Sequence, residues 1–96
     1  MIYIQEKGLG SDSIAIKVDG VLNYQSIQTL KDILVRNEKS QKQLVLQLAG
    51  ITHIDRFGID LLLKYRDKVR MKGLPGFLKM EIYPDGKTTI AEINTK

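Results

Sequence analysis

The order of apolar and polar positions divides the chain into short segments of two periods. Ser13-Ile-Ala-Ile-Lys-Val-Asp19 alternates, with Ile14, Ile16 and Val18 on one face, the period of a strand. Ile2-Tyr-Ile4 is a shorter β-rich run before it. Between them, Lys7-Gly-Leu-Gly-Ser-Asp12 is turn chemistry that joins the two runs as a hairpin. Gly20 is expected to end the second strand. Beyond Asn23, a residue suited to cap a helix, Ile27, Leu30, Ile33 and Leu34 recur three and four apart. That spacing predicts an amphipathic helix closing in the polar stretch Asn37–Lys42. Gln43 to Leu48 reads as the next strand. Leu44, Leu46 and Leu48 face one way and Val45 is apolar on the other, the pattern of a central strand covered on both faces. Strand, helix and strand in this order predict a parallel pair with a right-handed crossover.

Ile59, Leu62, Leu63 and Val69, with Tyr65 beside them, predict a second helix from about Arg56 to Lys72, stopped by Gly73 and Pro75. Phe77 to Tyr83 reads as another strand. The last residues fit two patterns. Asp85-Gly86 is a hairpin-turn signal that makes Thr88 to Ile93 a strand. Thr89 with Glu92 is a capping box that makes it a short helix carrying Ile90 and Ile93, and their spacing of three leans to the helix. The expectation is an α/β fold: a mixed sheet of about four strands with helices packed on it, as one domain over residues 1–96.

Composition narrows the chemistry more than the fold. The 96 residues include no cysteine, which excludes disulfides and thiolate catalysis. The start lacks the basic patch and apolar run of a signal peptide. Leu61-Leu-Leu63 is far short of the roughly 20 apolar residues of a membrane span, and the expectation is a cytoplasmic protein. The net charge of +4 permits a weak attraction to nucleic acid, anionic lipid or an acidic protein face without selecting among them.

Candidate reactive groups are few. His53 is the only histidine, so no histidine-dependent nucleophile relay exists without it. Asp60 follows Asp55 by five residues and points elsewhere on a helix, which argues against a metal site with His53. Asp55-Arg-Phe-Gly58 fits an Asp-x-x-Gly pattern found beside Mg²⁺ in nucleotide hydrolases. That reading requires a phosphate-cradling glycine loop, and Gly86-Lys-Thr88 matches only its last three positions. Gly73-Leu-Pro-Gly76 reads as a helix stop and tight turn rather than an RNA clamp, because Pro75 removes a donor. Lys64, Lys68 and Lys72 form one stripe of the expected second helix, with Arg66 and Arg70 beside it. Such a stripe is ordinarily a solvated face; as a nucleic-acid contact it needs stacking aromatics as well.

What remains is the strand-to-helix corner, whose free N–H groups favour negative charge. Here the order of elements and the motif together resemble the STAS domain, the sulfate-transporter and anti-sigma-factor-antagonist family. The matching parts are Ile14-Ala-Ile-Lys-Val-Asp-Gly-Val-Leu-Asn23, the first helix, Leu44-Val-Leu-Gln-Leu48 and Ile54-Asp-Arg-Phe-Gly58 with the helix after it. The resemblance covers roughly residues 2 to 83.

The resemblance implies a switch at this corner. Phosphorylatable members carry Asp-Ser-Ser-Gly or Asp-Ser/Thr-x-Gly here, and a partner kinase that is also the anti-sigma factor phosphorylates the hydroxyl after the aspartate. Asp55 and Gly58 match. Arg56 stands at the acceptor position, Phe57 follows it, and Asn23 stands where the antagonists often carry an aspartate. The family's phosphorylation is therefore not expected at the usual place. The expected function is a non-catalytic, anti-sigma-factor-antagonist-like regulatory module that takes part in partner switching in transcription regulation. Its partner-binding residues are Thr52, Asp55, Arg56, Phe57 and Gly58. It takes no metal and no cofactor; its partner is a protein, of which an anti-sigma factor with serine kinase activity is the family's example. A homodimer is left open. The alternatives are a subunit of a transporter complex and a weak binder of nucleic acid or anionic surfaces through the basic second helix.

Overall fold

Alternating strands with one apolar face need a layer to cover it, and here the helices supply that layer from one side. A computed structural model describes residues 2–84. Its elements are β1 (Ile2–Gly8), β2 (Ser13–Leu22), α1 (Ile27–Glu38), β3 (Gln43–Ile54), α2 (Arg56–Tyr65), β4 (Arg70–Lys72) and α3 (Gly76–Ile82). The sheet order is β1-β2-β3-β4. The β1–β2 hairpin is antiparallel, and β2, β3 and β4 run parallel. This is the expected mixed four-stranded α/β sheet.

One face of the sheet carries the core. Ile16, Leu46 and Met71 lie in one register row across β2, β3 and β4, and all three are fully buried. Leu30 and Leu34 of α1, Leu61 and Leu62 of α2, and Leu78 and Ile82 of α3 pack into the same cluster. Each such side chain stabilises the fold by roughly 1.5–3 kcal/mol in transfer terms. Val45 is buried at 5% exposure, as is its neighbour Ala15, but not by the described helices. It faces away from the core between its partners Ala15 and Arg70, and no described helix covers that side. The molecule is correspondingly thin, 19 Å in its shortest extent.

Several boundaries differ from the pattern-based expectation. β2 does not end at Gly20 but runs through it to Leu22; Gly20 has φ 99°, a conformation that glycine accepts without strain. β3 continues six residues past Leu48. It holds 12 residues against the 10 of β2, and two register shifts absorb the difference. Each shift is a bulge that resets which side chains point inward. Leu44, Leu46 and Leu48 face the core, and the next core residue is Ile51. The alternation breaks there, which is why the strand read as ending at Leu48.

The second helix stops at Tyr65, not Lys72. The N–H groups of Lys68 and Val69 both donate to the Tyr65 carbonyl, and the chain then turns into β4. Gly73 follows that strand rather than a helix. The segment read as a strand, Phe77 to Tyr83, is mostly α3. Leu78 and Ile82 are four residues apart and both fully buried, a helical spacing on one side, and Leu74 is buried in the segment before the helix. The Arg66 Nη1 donates to the Ile82 carbonyl at 2.6 Å and satisfies the end of α3. The two readings of residues 85–96 lie outside the described residues.

Candidate functional site

Two loops meet at the ends of β2 and β3. Leu22 is fully buried, and its carbonyl accepts the Asp55 N–H at 3.2 Å, which closes the parallel pair. Past Leu22 the chain must turn into α1. Asn23 makes that turn: its Oδ1 accepts from the N–H of Gln25 at 3.0 Å and of Ser26 at 3.2 Å. Ser26, not Asn23, is the residue immediately before α1. Its hydroxyl donates to the Val21 carbonyl at 2.9 Å and accepts from the Asn23 N–H at 2.9 Å.

Asp55 joins this loop to α2. It is the N-cap of α2, extended at φ −103° and ψ −176°, and its Oδ1 accepts from the Gly58 N–H at 3.0 Å. Its Oδ2 accepts from the Tyr24 N–H at 2.8 Å. The Gly58 N–H above all, together with that of Tyr24, holds the carboxyl below its ordinary range, against an opposing contribution from desolvation. Both oxygens are therefore engaged within the protein, and Asp55 acts as a tie between two loops rather than as a free contact.

Gly58 is structural in a different way. A Cβ built there would lie 2.6 Å from both the Leu22 carbonyl oxygen and Ile54 Cγ1, and 3.1 Å from Leu22 Cγ. The first turn of α2 passes too close to the end of β2 for any side chain. The two named positions of Asp-x-x-Gly thus set the geometry, and the two between them are presented to solvent.

Arg56 is exposed in the first turn of α2 and has no ion-pair partner among the described residues. Phe57 is 51% exposed and rests against Tyr24, itself 67% exposed. Their ring centroids are 5.1 Å apart with an interplanar angle of 55°, a tilted pair. Tyr24 is the residue that sequence reasoning left out of the site. The signal available was its place directly after Asn23 in the loop that a parallel crossover brings beside the corner. Thr52 is exposed on β3, in the strand rather than a loop, and its Oγ1 donates to the Gly20 carbonyl at 3.2 Å. Its hydroxyl faces β2. His53 is exposed on the same strand. Among the described residues no three His, Asp or Glu side chains converge in a metal-holding group, and no described helix is long and apolar enough to cross a membrane.

The basic stripe expected along the second helix does not form. Lys64 lies in the last turn of α2, Lys68 in the turn beyond it near Glu38 and over the Tyr65 ring, and Lys72 on β4. A helix that stops at Tyr65 cannot align the three.

This architecture is a small α/β domain in which a hairpin feeds a parallel crossover, with Asp-x-x-Gly at the second strand-to-helix corner. The STAS domain family model matches residues 3–79, and the chain belongs to that family. Among solved structures, the crystal structure of Mglu resembles it at a TM-score of 0.58 and 22% identity over 77% of the chain. The chain spans only 19% of the length of Mglu. An uncharacterised protein of the DUF3478 family with a SpoIIAA-like fold, from Shewanella loihica PV-4, matches at a TM-score of 0.57 and 14% identity. That match covers 95% of this chain and 82% of the other. At these identities the two structures bear on the fold alone. No curated relative matches the sequence.

Proposed function

We infer that this protein is a non-catalytic regulatory module of the anti-sigma-factor-antagonist kind, which docks a protein partner through the β3–α2 corner without being phosphorylated there. The observation that carries this reading is the division of labour in Asp55-Arg-Phe-Gly58. Asp55 and Gly58 hold a rigid corner, and Arg56 and Phe57, with Tyr24, stand exposed on it. Arginine and aromatic residues on a preorganised support are the side chains that dominate protein interfaces. The corner offers a partner an arginine where the phosphorylatable relatives offer a hydroxyl, so the charge that arrives on phosphorylation is replaced by a permanent charge of opposite sign. The fitting partner is an anti-sigma factor of the serine-kinase type, in the cytoplasm.

The test is a binding and phosphoryl-transfer assay with purified anti-sigma kinases of the same organism and radiolabelled ATP. The expected result is a complex that forms with no label on the wild-type chain. Arg56→Glu or Phe57→Ala weakens the complex, and Arg56→Ser makes the substituted position an acceptor of label. A wild-type chain labelled by the kinase, or a complex indifferent to both Arg56→Glu and Phe57→Ala, overturns the reading.

A further inference from the structure

The sheet face away from the helices has no described covering layer, and its charge is unbalanced. Among the described residues, alternation and register place Lys7, Lys17, Arg70 and Lys72 on it against a single acidic residue, Asp19. Lys17 and Asp19 approach to 3.8 Å, which neutralises one of the four cations in part. The cations are ordered. Gln5 pairs with Lys17, Lys17 with Gln47 and Gln47 with Lys72, so one register row crosses all four strands as Gln, Lys, Gln, Lys. A shallow hollow lies on each side of this row. One, of about 240 Å³, is floored by Ala49, Gly50 and Gly73; the other, of about 300 Å³, contains Ala15, Lys7 and Leu9.

We propose that this face, on which Lys7, Lys17, Gln47 and Lys72 are exposed while Ala15 and Val45 are buried, is a second docking surface, and that its occupant is an acidic amphipathic helix of a partner protein. The dimensions fit. Strands are spaced by about 4.8 Å, so Lys17 and Lys72, two strands apart, have backbones roughly 10 Å apart. Carboxylates seven residues apart on a helix are separated by about 10.5 Å along its axis and lie on nearly the same side. A helix about 10–12 Å across that sets two such carboxylates on Lys17 and Lys72 lays the small residues between them over the hollow at Ala49. Docking converts a two-layer domain into a three-layer one.

Other occupants fit less well. A second copy would bring the same four cations face to face. Residues 85–96 carry Asp85 and Glu92 against Lys87 and Lys96 and have no surplus of negative charge. A single-stranded nucleic acid needs stacking platforms, and the only aromatic side chain of the described residues on this face is Tyr3, on the edge strand.

The test uses the isotope-labelled full chain at low salt. The probe is an alanine-rich helical peptide with glutamates seven residues apart on one face. A control peptide has the same glutamates scattered around the helix, and polyuridine RNA and phosphatidylglycerol vesicles are titrated in parallel. The expected result is that the patterned peptide shifts the amide resonances of Lys17, Gln47 and Lys72 and binds more tightly than the scattered one. Lys17→Glu/Lys72→Glu weakens it by about tenfold or more, as charge reversal at a docked pair does. The milder Lys17→Gln/Lys72→Gln weakens it less, and Arg56→Glu leaves it unchanged, which separates this surface from the corner. Tighter binding of RNA or vesicles at the same residues, equal binding of the two peptides, protection of Lys17 and Lys72 released by deleting residues 85–96, or indifference to both lysine pairs overturns the proposal.

Discussion

The carboxylate of Asp55 accepts the backbone N–H of Tyr24 at 2.8 Å, a bond that spans 31 residues of sequence and ties the β2–α1 loop to the first turn of α2. The same carboxylate caps α2 through Gly58. One side chain thereby sets the position of both exposed aromatic rings, because Tyr24 and Phe57 sit on the two segments it joins.

Removing that tie is expected to loosen the corner before it unfolds the domain. Asp55→Ala frees the amides of Tyr24 and Gly58 together, and amide exchange read by NMR should accelerate at both. Asp55→Asn keeps one carbonyl oxygen as an acceptor. It should protect one of the two amides and lower the urea midpoint less than Asp55→Ala does.

Gly58→Ala is expected to destabilise strongly for so small a change. The new methyl meets the Leu22 carbonyl and Ile54 at 2.6 Å, and the Leu22 carbonyl is backbone held in the strand end. Overpacking of this kind costs about 1–3 kcal/mol. Chemical denaturation should show that loss, and the aromatic pair should separate as α2 shifts outward.

The aromatic pair itself should matter little to stability and much to docking. Tilted pairs contribute about 0.5–1.5 kcal/mol beyond area burial, with exposure favouring the low end. A double-mutant cycle of Tyr24→Ala and Phe57→Ala, read by urea unfolding, should return a coupling in that range. The same substitutions should weaken the partner complex by more than they weaken the fold.

The acid limb of stability should follow two carboxylates. Glu6 accepts from Asn37 Nδ2 at 3.1 Å and from the Arg36 guanidinium, and these partners lower its pKa below the ordinary 4.5. Asp55 is lowered below 3.8 by the Gly58 and Tyr24 amides. For groups depressed in the folded state, the stabilisation is fully present above the unfolded-state value and is lost as pH falls through the folded one. The urea midpoint should therefore hold level above those ordinary values and fall below them. Glu6→Gln should make the fall shallower, and Arg36→Gln should raise the Glu6 pKa followed by NMR titration.

Much of this was visible in the residue pattern for a local reason. The β1–β2 hairpin, α1 and the first half of β3 each have an unbroken period, and each begins or ends with a residue whose backbone preference marks the boundary. The bulges in β3 were hidden because an extra residue shifts the inward phase, and only pairing with β2 reveals which residue is extra. β4 was hidden inside an apparent helix. Three residues carry no period of their own, and Arg70–Lys72 is a strand because Val45, Leu46 and Gln47 offer it an edge. α3 was misread since Phe77–Tyr83 alternates nearly as well as it spirals; burial of Leu78 and Ile82 where α3 packs on α2 decided it.

The sequence alone determined the class of fold, the place of the Asp-x-x-Gly corner and the absence of a hydroxyl at position 56, because all three rest on local spacing and residue type. Tertiary structure decided which residues share that corner and which cations share a face. Tyr24 and Phe57 lie 33 positions apart and meet because parallel β2 and β3 end at the same level. Lys17 and Lys72 lie 55 positions apart and share a row because β-pairing is specified between strands, not along them.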